Sequence, residues 1–275
     1  MRHYKDGKDI YITEYSSIGE FVSSINSLPT NRFYEKRTLS SQTVEDDDSG
    51  WYYSRDYQRA TYLFTHGWDS AAEKMSKRIK LNQGVGTPSR TSKPTYGVVG
   101  SQASVPRYLQ GIPTNMVSRQ TTYSKQKVIT ITKGISYSGR FSPKTILEES
   151  IKALELIQSL ETAGQRVRLN VMIATTEGNK SAIYKVCVKQ PDERLNISKM
   201  AFPLAHPSML RRFFFRCMET DPNIDFDLGY GYGYPSSLHI KEKALAENEH
   251  YIPEEIKDMD ELIKQLQSGK PRKSV

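Results

Sequence analysis

The clearest hydrophobic pattern lies in the second half of the chain. Residues 127–136 read KVITITKGIS, in which β-branched residues alternate with others in the manner of a strand. We expect most of its aliphatic side chains to be buried, namely Val128, Ile129, Ile131 and Ile135. Residues 142–164 follow as a helix, because apolar residues recur every three or four positions. Ser142 is suited to the N-cap, Pro143 to the first helical position and Gly164 to the end.

Two further strands follow the predicted helix. Residues 166–176 (RVRLNVMIATT) and 181–190 (SAIYKVCVKQ) are rich in β-formers, and a short turn containing Gly and Asn separates them. The first would lie parallel to strand 127–136, because a helix connects the two, whereas the second returns as a hairpin. The pattern therefore predicts an α/β fold in which a strand–helix–strand unit continues into an antiparallel hairpin.

The remaining elements are weaker and mostly helical. Residues 9–15 predict one strand near the N-terminus. Three segments place apolar residues on one face of a helix: 16–28, 54–68 and 69–81. Residues 194–220 predict helical segments interrupted at their two prolines, and residues 238–255 predict two short strands. The N-terminal part is therefore expected to be helical and rich in loops.

Residues 82–125 lack a hydrophobic period and are rich in Gly, Pro, Ser and Thr. They contain no acidic residue, several Lys and Arg including Arg107, and three tyrosines, Tyr96, Tyr108 and Tyr123. Such a segment is either a solvated connection draped over the core or a binding segment whose tyrosines stack on bases. We divide the chain into an N-terminal α/β-helical region (1–81), a basic connecting segment (82–125) and a C-terminal domain (126–275).

The composition shows an excess of basic over acidic residues and few cysteines. The 275 residues include 39 Lys and Arg against 31 Asp and Glu, which gives a net charge of +8. This balance favours an acidic partner: nucleic acid, an acidic protein surface or a phosphorylated ligand. Cys187 and Cys217 are too few for a disulfide framework or a zinc site and indicate buried thiols in a reducing compartment. No segment reaches the length of a membrane span, so we expect a soluble, cytoplasmic protein.

The sequence lacks the common catalytic motifs. It contains no Walker motif, no G-x-S-x-G elbow, no C-x-x-C and no H-E-x-x-H. His206 precedes a helix and has no neighbour in sequence that would complete a triad, which favours a structural role over a catalytic one. Arg211 and Arg212 oppose the dipole at the first turn of that helix, which indicates a salt bridge or an anionic partner. Tyr230 and Tyr232 alternate with glycines, a pattern typical of contact surfaces.

The loop after strand 127–136, with the helix and hairpin that follow it, resembles the corresponding part of a known fold. Gly134-Ile135-Ser136-Tyr137-Ser138 precedes the long helix and the hairpin, and this order resembles the von Willebrand factor A-type Rossmannoid fold. Members of that family have an Asp-x-Ser-x-Ser loop here, which helps to hold Mg²⁺. Gly134 replaces the Asp in this chain, so the resemblance implies the fold and the loop, and we expect neither metal nor cofactor. Ser136 and Ser138 remain to contact a partner, a phosphate or a carboxylate.

A second resemblance covers residues 15–220. The first group of residues that carries it is Gly67 and Trp68, after a predicted helix. The second group is Gly100, Val105, Pro106, Leu109, Gly111, Pro113 and Met116. The third group is Leu195, Phe202, His206, Pro207, Arg211 and Arg212. In these positions the chain is similar to a family of uncharacterised proteins from tailed bacteriophages and prophages. The resemblance implies a phage or prophage protein and brings no activity with it.

Three hypotheses for the function follow. The first is a non-enzymatic phage-type protein that binds a host or phage macromolecule, foremost a protein, through the basic loop 84–125, the degenerate metal loop at Gly134–Ser138 and the tyrosine-rich segment 229–235. The second is a nucleic-acid-binding protein that uses the basic segment 84–140. The third is an enzyme or sequestering protein for a phosphorylated small molecule, which requires His206 and Arg211 to reach Ser136. A homo-oligomer is compatible with all three hypotheses, and a membrane partner is not expected.

Overall fold

The structure of the chain is a computed structural model. It describes residues 1–7, 9–36, 38–47, 51–79, 90–123, 127–229, 231–258, 261–262 and 266, and for 90–93 and 120–123 it describes the backbone alone. In chain order the elements are β1 (Arg2–Asp6), β2 (Ile10–Tyr15), α1 (Ile18–Ser27), α2 (Tyr57–His66), α3 (Asp69–Arg78), β3 (Arg90–Gly97), β4 (Gln102–Ala103), α4 (Val105–Leu109), β5 (Met116–Tyr123), β6 (Val128–Gly134), α5 (Pro143–Thr162), β7 (Arg166–Glu177), β8 (Lys180–Lys189), α6 (Ile197–Ala205), α7 (Phe215–Thr220), β9 (Tyr234–Pro235), α8 (Leu238–Glu242) and β10 (Glu249–Ile252). A π-helical turn, Met209–Phe214, joins α6 to α7. The described chain is thus mixed α/β.

The strand–helix–strand unit predicted from the sequence is confirmed. β6 lies parallel to β7, α5 connects them, and β8 returns antiparallel to β7. The Ser142 hydroxyl accepts the backbone N–H of Thr145 at 3.1 Å, and Pro143 is the first helical residue. Gly164 lies just beyond the end of α5 with a φ of 85°, a conformation that glycine adopts without strain. Local sequence signals therefore define both ends of the longest helix.

The main sheet takes strands from both ends of the chain. Among the described residues its order is β1-β2-β8-β7-β6-β10, with β9 paired to the far end of β7. β2 lies parallel to β8, β10 lies parallel to β6, and the outer strand β1 is antiparallel to β2. The sheet is therefore mixed, and residues 1–81 and 126–275 share it.

Helices flank this sheet and build the core. On one face, α1, α3, α5, α6 and α7 enclose the largest cluster of buried apolar side chains. Its inner-face residues on α5 include those predicted from the helical period: Ile146, Ile151, Leu154, Ile157 and Leu160. On the other face a smaller cluster packs near α8, around Ile12, Met172, Ile183 and Tyr251. Within the described ranges, no helix combines the length and the apolar character needed to cross a membrane.

Three local expectations were wrong. Val128 is 54% exposed because it is the first residue of β6 and lies on the face opposite to Ile129 and Ile131, which point into the core as predicted. α6 continues through Pro203 instead of breaking there. Residues 238–255 form α8 and one strand, β10, instead of two strands.

Residues 90–123 fold as a separate small sheet. β3, β5 and β4 pair antiparallel in that order, and α4 lies between β4 and β5. Of its residues 94–119, whose side chains the structure describes, none belongs to either apolar core cluster. The side-chain hydrogen bonds found for the described residues of this sheet, such as Thr95 to Ser118 and Arg107 to Thr114, stay inside it. Regular structure therefore exists where the sequence shows no period.

Candidate functional site

The loop Gly134–Ser138 is enclosed by the chain that follows β10. A Cβ atom on Gly134 would clash with the Tyr251 hydroxyl group and lie 2.9 Å from Glu254 Oε1, so a larger residue here requires these two side chains to move. Ser136 is buried, and its hydroxyl accepts the backbone N–H of Ala174 at 2.9 Å. The part of the chain that the structure describes contains no group of three His, Cys, Asp or Glu suited to a metal ion. The Ser136 hydroxyl is thus engaged within the protein.

The Lys133 side chain holds the segment after β10 against this loop. Its ammonium donates to the carbonyl oxygens of Pro253 at 2.5 Å and Glu254 at 3.0 Å. Burial lowers the pKa of Lys133 to about 7, against the opposing effect of the Glu254 carboxylate. Lys133 was one of the positive charges in the basic segment of the nucleic-acid hypothesis, and in the structure it faces inward.

His206 has the structural surroundings that the sequence favoured. Its ring is buried, Nδ1 accepts the backbone N–H of Ser208 at 3.1 Å, and the ring stacks on Phe202 with centroids 4.6 Å apart. Burial lowers the pKa of His206 to about 3. His206, Arg211 and Tyr137 line a cavity of only about 10 Å³, room for roughly one water. A small-molecule substrate does not fit between them.

The adjacent arginines are both buried, and neither is in an ion pair with a described residue. Arg212 donates to the carbonyl oxygens of Ser40, Gln42 and Ser54 and to the Ser54 hydroxyl, at 2.7 to 2.9 Å. Arg211 donates through Nη1 to the carbonyl oxygen of Trp51 and lies over its ring. The alternative of a salt bridge is therefore wrong for both arginines within the described chain.

The tyrosine-rich loop is also partly internal. Tyr232 is buried, donates to Glu219 Oε1 at 2.6 Å and accepts the backbone N–H of Leu39 at 3.0 Å. The prediction that Tyr232 contacts a partner is contradicted by this burial. Tyr230 lies outside the described residues. Neighbouring Tyr234 is exposed, so the periodicity of glycines and tyrosines did not reveal which ring faces solvent.

The small sheet carries the most exposed apolar surface of the described chain. Ten large hydrophobic side chains are strongly exposed, and six of them, 48 to 84% exposed, belong to this sheet. We call these six the exposed apolar surface: Tyr96, Val98, Val99, Val105, Tyr108 and Leu109. Arg107, another predicted contact residue, lies with its guanidinium carbon 4.0 Å from the centre of the Tyr96 ring and donates to the Thr114 carbonyl oxygen at 3.0 Å. Arg107 and Tyr108 are thus the predicted site residues that face solvent together.

A polar cleft on the main sheet was not anticipated. It has a volume of about 610 Å³ and is lined by residues of β1, β2, β6, β7, β8 and β10. At its floor the Lys185 ammonium lies 2.7 Å from Glu14 Oε1 and 3.0 Å from Glu249 Oε2. Asn170 donates to Glu249 at 2.9 Å. Burial opposes ionisation of Glu249, but Lys185 and the other donors outweigh it and lower its pKa.

Part of this cleft could have been predicted from the sequence. Arg168 and Asn170 alternate with Val167 and Leu169 along β7, which places the polar side chains on one face. The ion network itself joins β2, β8 and β10, whose residues are far apart in sequence. The Lys185 ammonium, paired with the Glu14 and Glu249 carboxylates, therefore links these three strands.

One comparison with known proteins gave a match, and it covers almost the whole chain. A family model described as "Domain of unknown function (DUF7192)" matches residues 3–270. The chain belongs to the DUF7192 family. Comparison with curated proteins and comparison with solved structures gave no match. The DUF7192 match spans both the main sheet and the small sheet, so the exposed apolar surface lies inside the family's own domain.

Proposed function

We propose that this DUF7192 protein is a non-enzymatic binding protein that contacts another protein, of host or phage origin, through the exposed apolar surface. The observation that carries the proposal is the concentration of six of the ten exposed large hydrophobic residues in the small sheet. Exposed apolar side chains concentrated in one part of a protein are typical of interaction sites. The Gly134–Ser138 loop is not part of the proposed contact, because its Ser136 hydroxyl is engaged internally.

The chemistry of this surface fits a protein better than a nucleic acid. Its aliphatic members, Val98, Val99, Val105 and Leu109, have no ring to stack on bases. Tyrosine and arginine, present as Tyr108 and Arg107, are enriched among the residues that dominate protein interfaces. Residues 82–125 contain no acidic residue. The partner's facing surface is therefore apolar with an acidic rim.

A nucleic-acid partner is the second candidate, and one observation favours it. The Arg107 guanidinium stacks on Tyr96 within a segment that has only basic charges, and base stacking with cationic contacts is how many proteins hold single strands. Such binding would weaken by orders of magnitude as salt rises. Binding to an apolar protein surface would weaken much less.

We also propose a more specific fold for residues 126–275 than a mixed α/β sheet. The order β8-β7-β6-β10, with a parallel β6–β7 pair and an antiparallel β7–β8 pair, supports a von Willebrand A-like Rossmannoid arrangement for residues 126–275. The resemblance to tailed-phage proteins supports a phage or prophage source. Two buried cysteines without a disulfide support a reducing, cytoplasmic setting.

Site-specific photo-crosslinking tests the proposed contact. A photoreactive amino acid replaces Tyr108 in one variant and Tyr62, an exposed tyrosine of α2, in the control variant. We expect a discrete crosslinked polypeptide from position 108 only, and we expect it to disappear when Val98 and Val99 are both replaced by Ser. Products that nuclease removes would favour nucleic acid. Equal products from both positions, or none, would contradict the proposal.

A further inference from the structure

Arg211 is a buried cation with an unused hydrogen-bonding edge. Its side chain is 2% exposed, and only Nη1 has an acceptor, the carbonyl oxygen of Trp51. Nε and Nη2 are buried and have no hydrogen-bond partner. These two nitrogens form one side of the planar guanidinium, the side that binds both oxygens of a carboxylate or phosphate at once. The two unpaired nitrogens can therefore bind an oxyanion through two parallel hydrogen bonds.

Nothing in the described protein neutralises this charge. Burial alone accounts for the lowering of the pKa of Arg211, to about 10, and no carboxylate contributes to it. Arg211 is therefore still charged at neutral pH. A buried charge without a counter-charge is strongly destabilising, and buried polar atoms are paired in nearly all proteins. Arg212, one residue away, also has no ion pair but makes hydrogen bonds to four acceptors of the chain, so the shortage of acceptors is specific to Arg211.

Other unused donors lie near Arg211. The guanidinium carbon of Arg211 is 4.7 Å from the centre of the Trp51 ring, and the buried Trp51 Nε1 has no acceptor. That nitrogen lies 3.5 Å from the place of a Cβ atom on Gly139. The preceding hydroxyl, Ser138 Oγ, is also buried and unpaired. An indole N–H can only donate, so Trp51 Nε1, like Nε and Nη2 of Arg211, needs an acceptor, whereas the Ser138 hydroxyl can donate or accept.

The N-terminus of α5 follows the same segment and adds positive potential. Ser138 and Gly139 lead to the N-cap Ser142, and the first turn of this 20-residue helix contains no acidic residue. It contains Lys144 instead, although a helix N-terminus favours negative charge. Helix N-termini bind anions because their N–H groups point outward. The helix and the side chains thus favour the same kind of ligand.

We propose that this protein has an oxyanion-binding site beneath the Ser138–Gly139 segment, in which Arg211 Nε and Nη2 hold a carboxylate or phosphate group. Trp51 Nε1 and Ser138 Oγ donate to the same group. A water molecule satisfies donors but leaves the charge of Arg211 uncompensated, whereas an anion does both. The cavity at Arg211 has room for roughly one water, so a carboxylate or phosphate group binds only when the half-buried indole ring of Trp51 moves away from the guanidinium. This site is separate from the exposed apolar surface.

The two tryptophans of the chain allow a direct test. In Trp68→Phe the emission reports on Trp51, and in Trp51→Phe it reports on Trp68, which packs against His206 instead. Inorganic phosphate, sulfate and acetate are each titrated against chloride at constant ionic strength. We expect a saturable change of Trp51 emission with phosphate or with acetate, and the better of the two identifies the ligand group. We expect no saturable change of Trp68 emission.

Substitutions separate this site from a general salt effect. In the Trp68→Phe background, Arg211→Met abolishes the response, and Ser138→Ala raises the dissociation constant about five-fold, as expected for one lost hydrogen bond. Ser159→Ala, near the other end of α5, leaves it unchanged. If Arg211→Met does not fold, the Ser138 variant and its control decide. No saturable response to any of the three anions, or an equal response in the Ser138 and Ser159 variants, would overturn the proposal.

Discussion

The adjacent side chains Arg211 and Arg212 show how differently two buried cations are stabilised. Both lie in the π-helical turn between α6 and α7, and both are almost fully inaccessible to water. Arg212 places its guanidinium among carbonyl oxygens, which disperse the charge without a carboxylate. Arg211 has one such contact. The difference is why Arg212 is read as a structural clamp and Arg211 as the centre of a ligand site.

A buried histidine makes the stability of the protein depend on pH. The pKa of His206 is about 3 in the folded protein, compared with 6.5 for an unperturbed histidine. As pH falls below 6.5 the unfolded chain gains a proton that the folded chain does not. The free energy of unfolding from this group is therefore complete above that pH and decreases by up to about 1.4 kcal/mol per pH unit below it.

His206→Asn isolates this contribution. The Asn side-chain oxygen can still accept the N–H of Ser208, although packing against Phe202 is lost. When the pH is lowered from about 7 to about 4.5, we expect the free energy of unfolding of the wild type to fall by about 2–3 kcal/mol more than that of the variant. Urea unfolding at both pH values measures it. His239→Asn, at an exposed position, is the control. Parallel pH profiles for wild type and His206→Asn would contradict the assignment.

At the scale of elements, one side chain connects two segments that are distant in sequence. Arg212 holds Ser40, Gln42 and Ser54 against the π-helical turn. We expect Arg212→Lys to lower the free energy of unfolding by about 3 kcal/mol or more, because one ammonium cannot reach four acceptors and leaves carbonyl oxygens unpaired. Chemical denaturation measures the loss. The control is Arg55→Lys, whose side chain is exposed. A loss below about 1 kcal/mol would show that Arg212 is not a clamp.

Elements with local signals were predictable, and elements that depend on distant contacts were not. Ser142, Pro143 and Gly164 define α5 from within its own sequence, and the hairpin of β7 and β8 follows from two neighbouring apolar runs. β1 was missed because its sequence, RHYKD, has no apolar alternation and is held only by pairing with β2. For the site, the sequence selected Arg211 but gave no sign of its burial, which depends on Trp51, 160 residues away.

The small sheet is expected to be dispensable for the fold of the rest. Its described residues contribute to neither core cluster, and removal of such a unit takes little buried apolar area from the remaining chain. We expect replacement of residues 90–123 by a short Gly-Ser linker to leave the cooperative unfolding transition within a few degrees of wild type, by circular dichroism. The same variant should lose the crosslinked partner. A large drop in Tm would show that the small sheet contributes to the core after all.

At the scale of the whole molecule, the N-terminal and C-terminal regions complete one another. β2 pairs with β8, so the sheet of the C-terminal region would have an exposed edge without it. Tyr11 and Tyr15 of β2 and Phe21 and Ile25 of α1 lie in the same core cluster as the apolar face of α5. Residues 126–275 therefore lack part of their own core when they are separated from residues 1–81.

A pair of fragments tests this dependence. Residues 126–275 expressed alone are expected to be poorly soluble or to unfold without a cooperative transition, because the β8 edge and the apolar surface under β2 and α1 face water. The matched control joins 1–89 to 124–275 by the Gly-Ser linker of the small-sheet deletion, which restores β2 and α1. That protein is expected to unfold cooperatively. Amide hydrogen exchange adds a sharper readout, since the backbone N–H groups of β8 that face β2 should be protected only in the control. Cooperative unfolding of 126–275 alone, with protected β8 amides, would instead establish it as an independent domain.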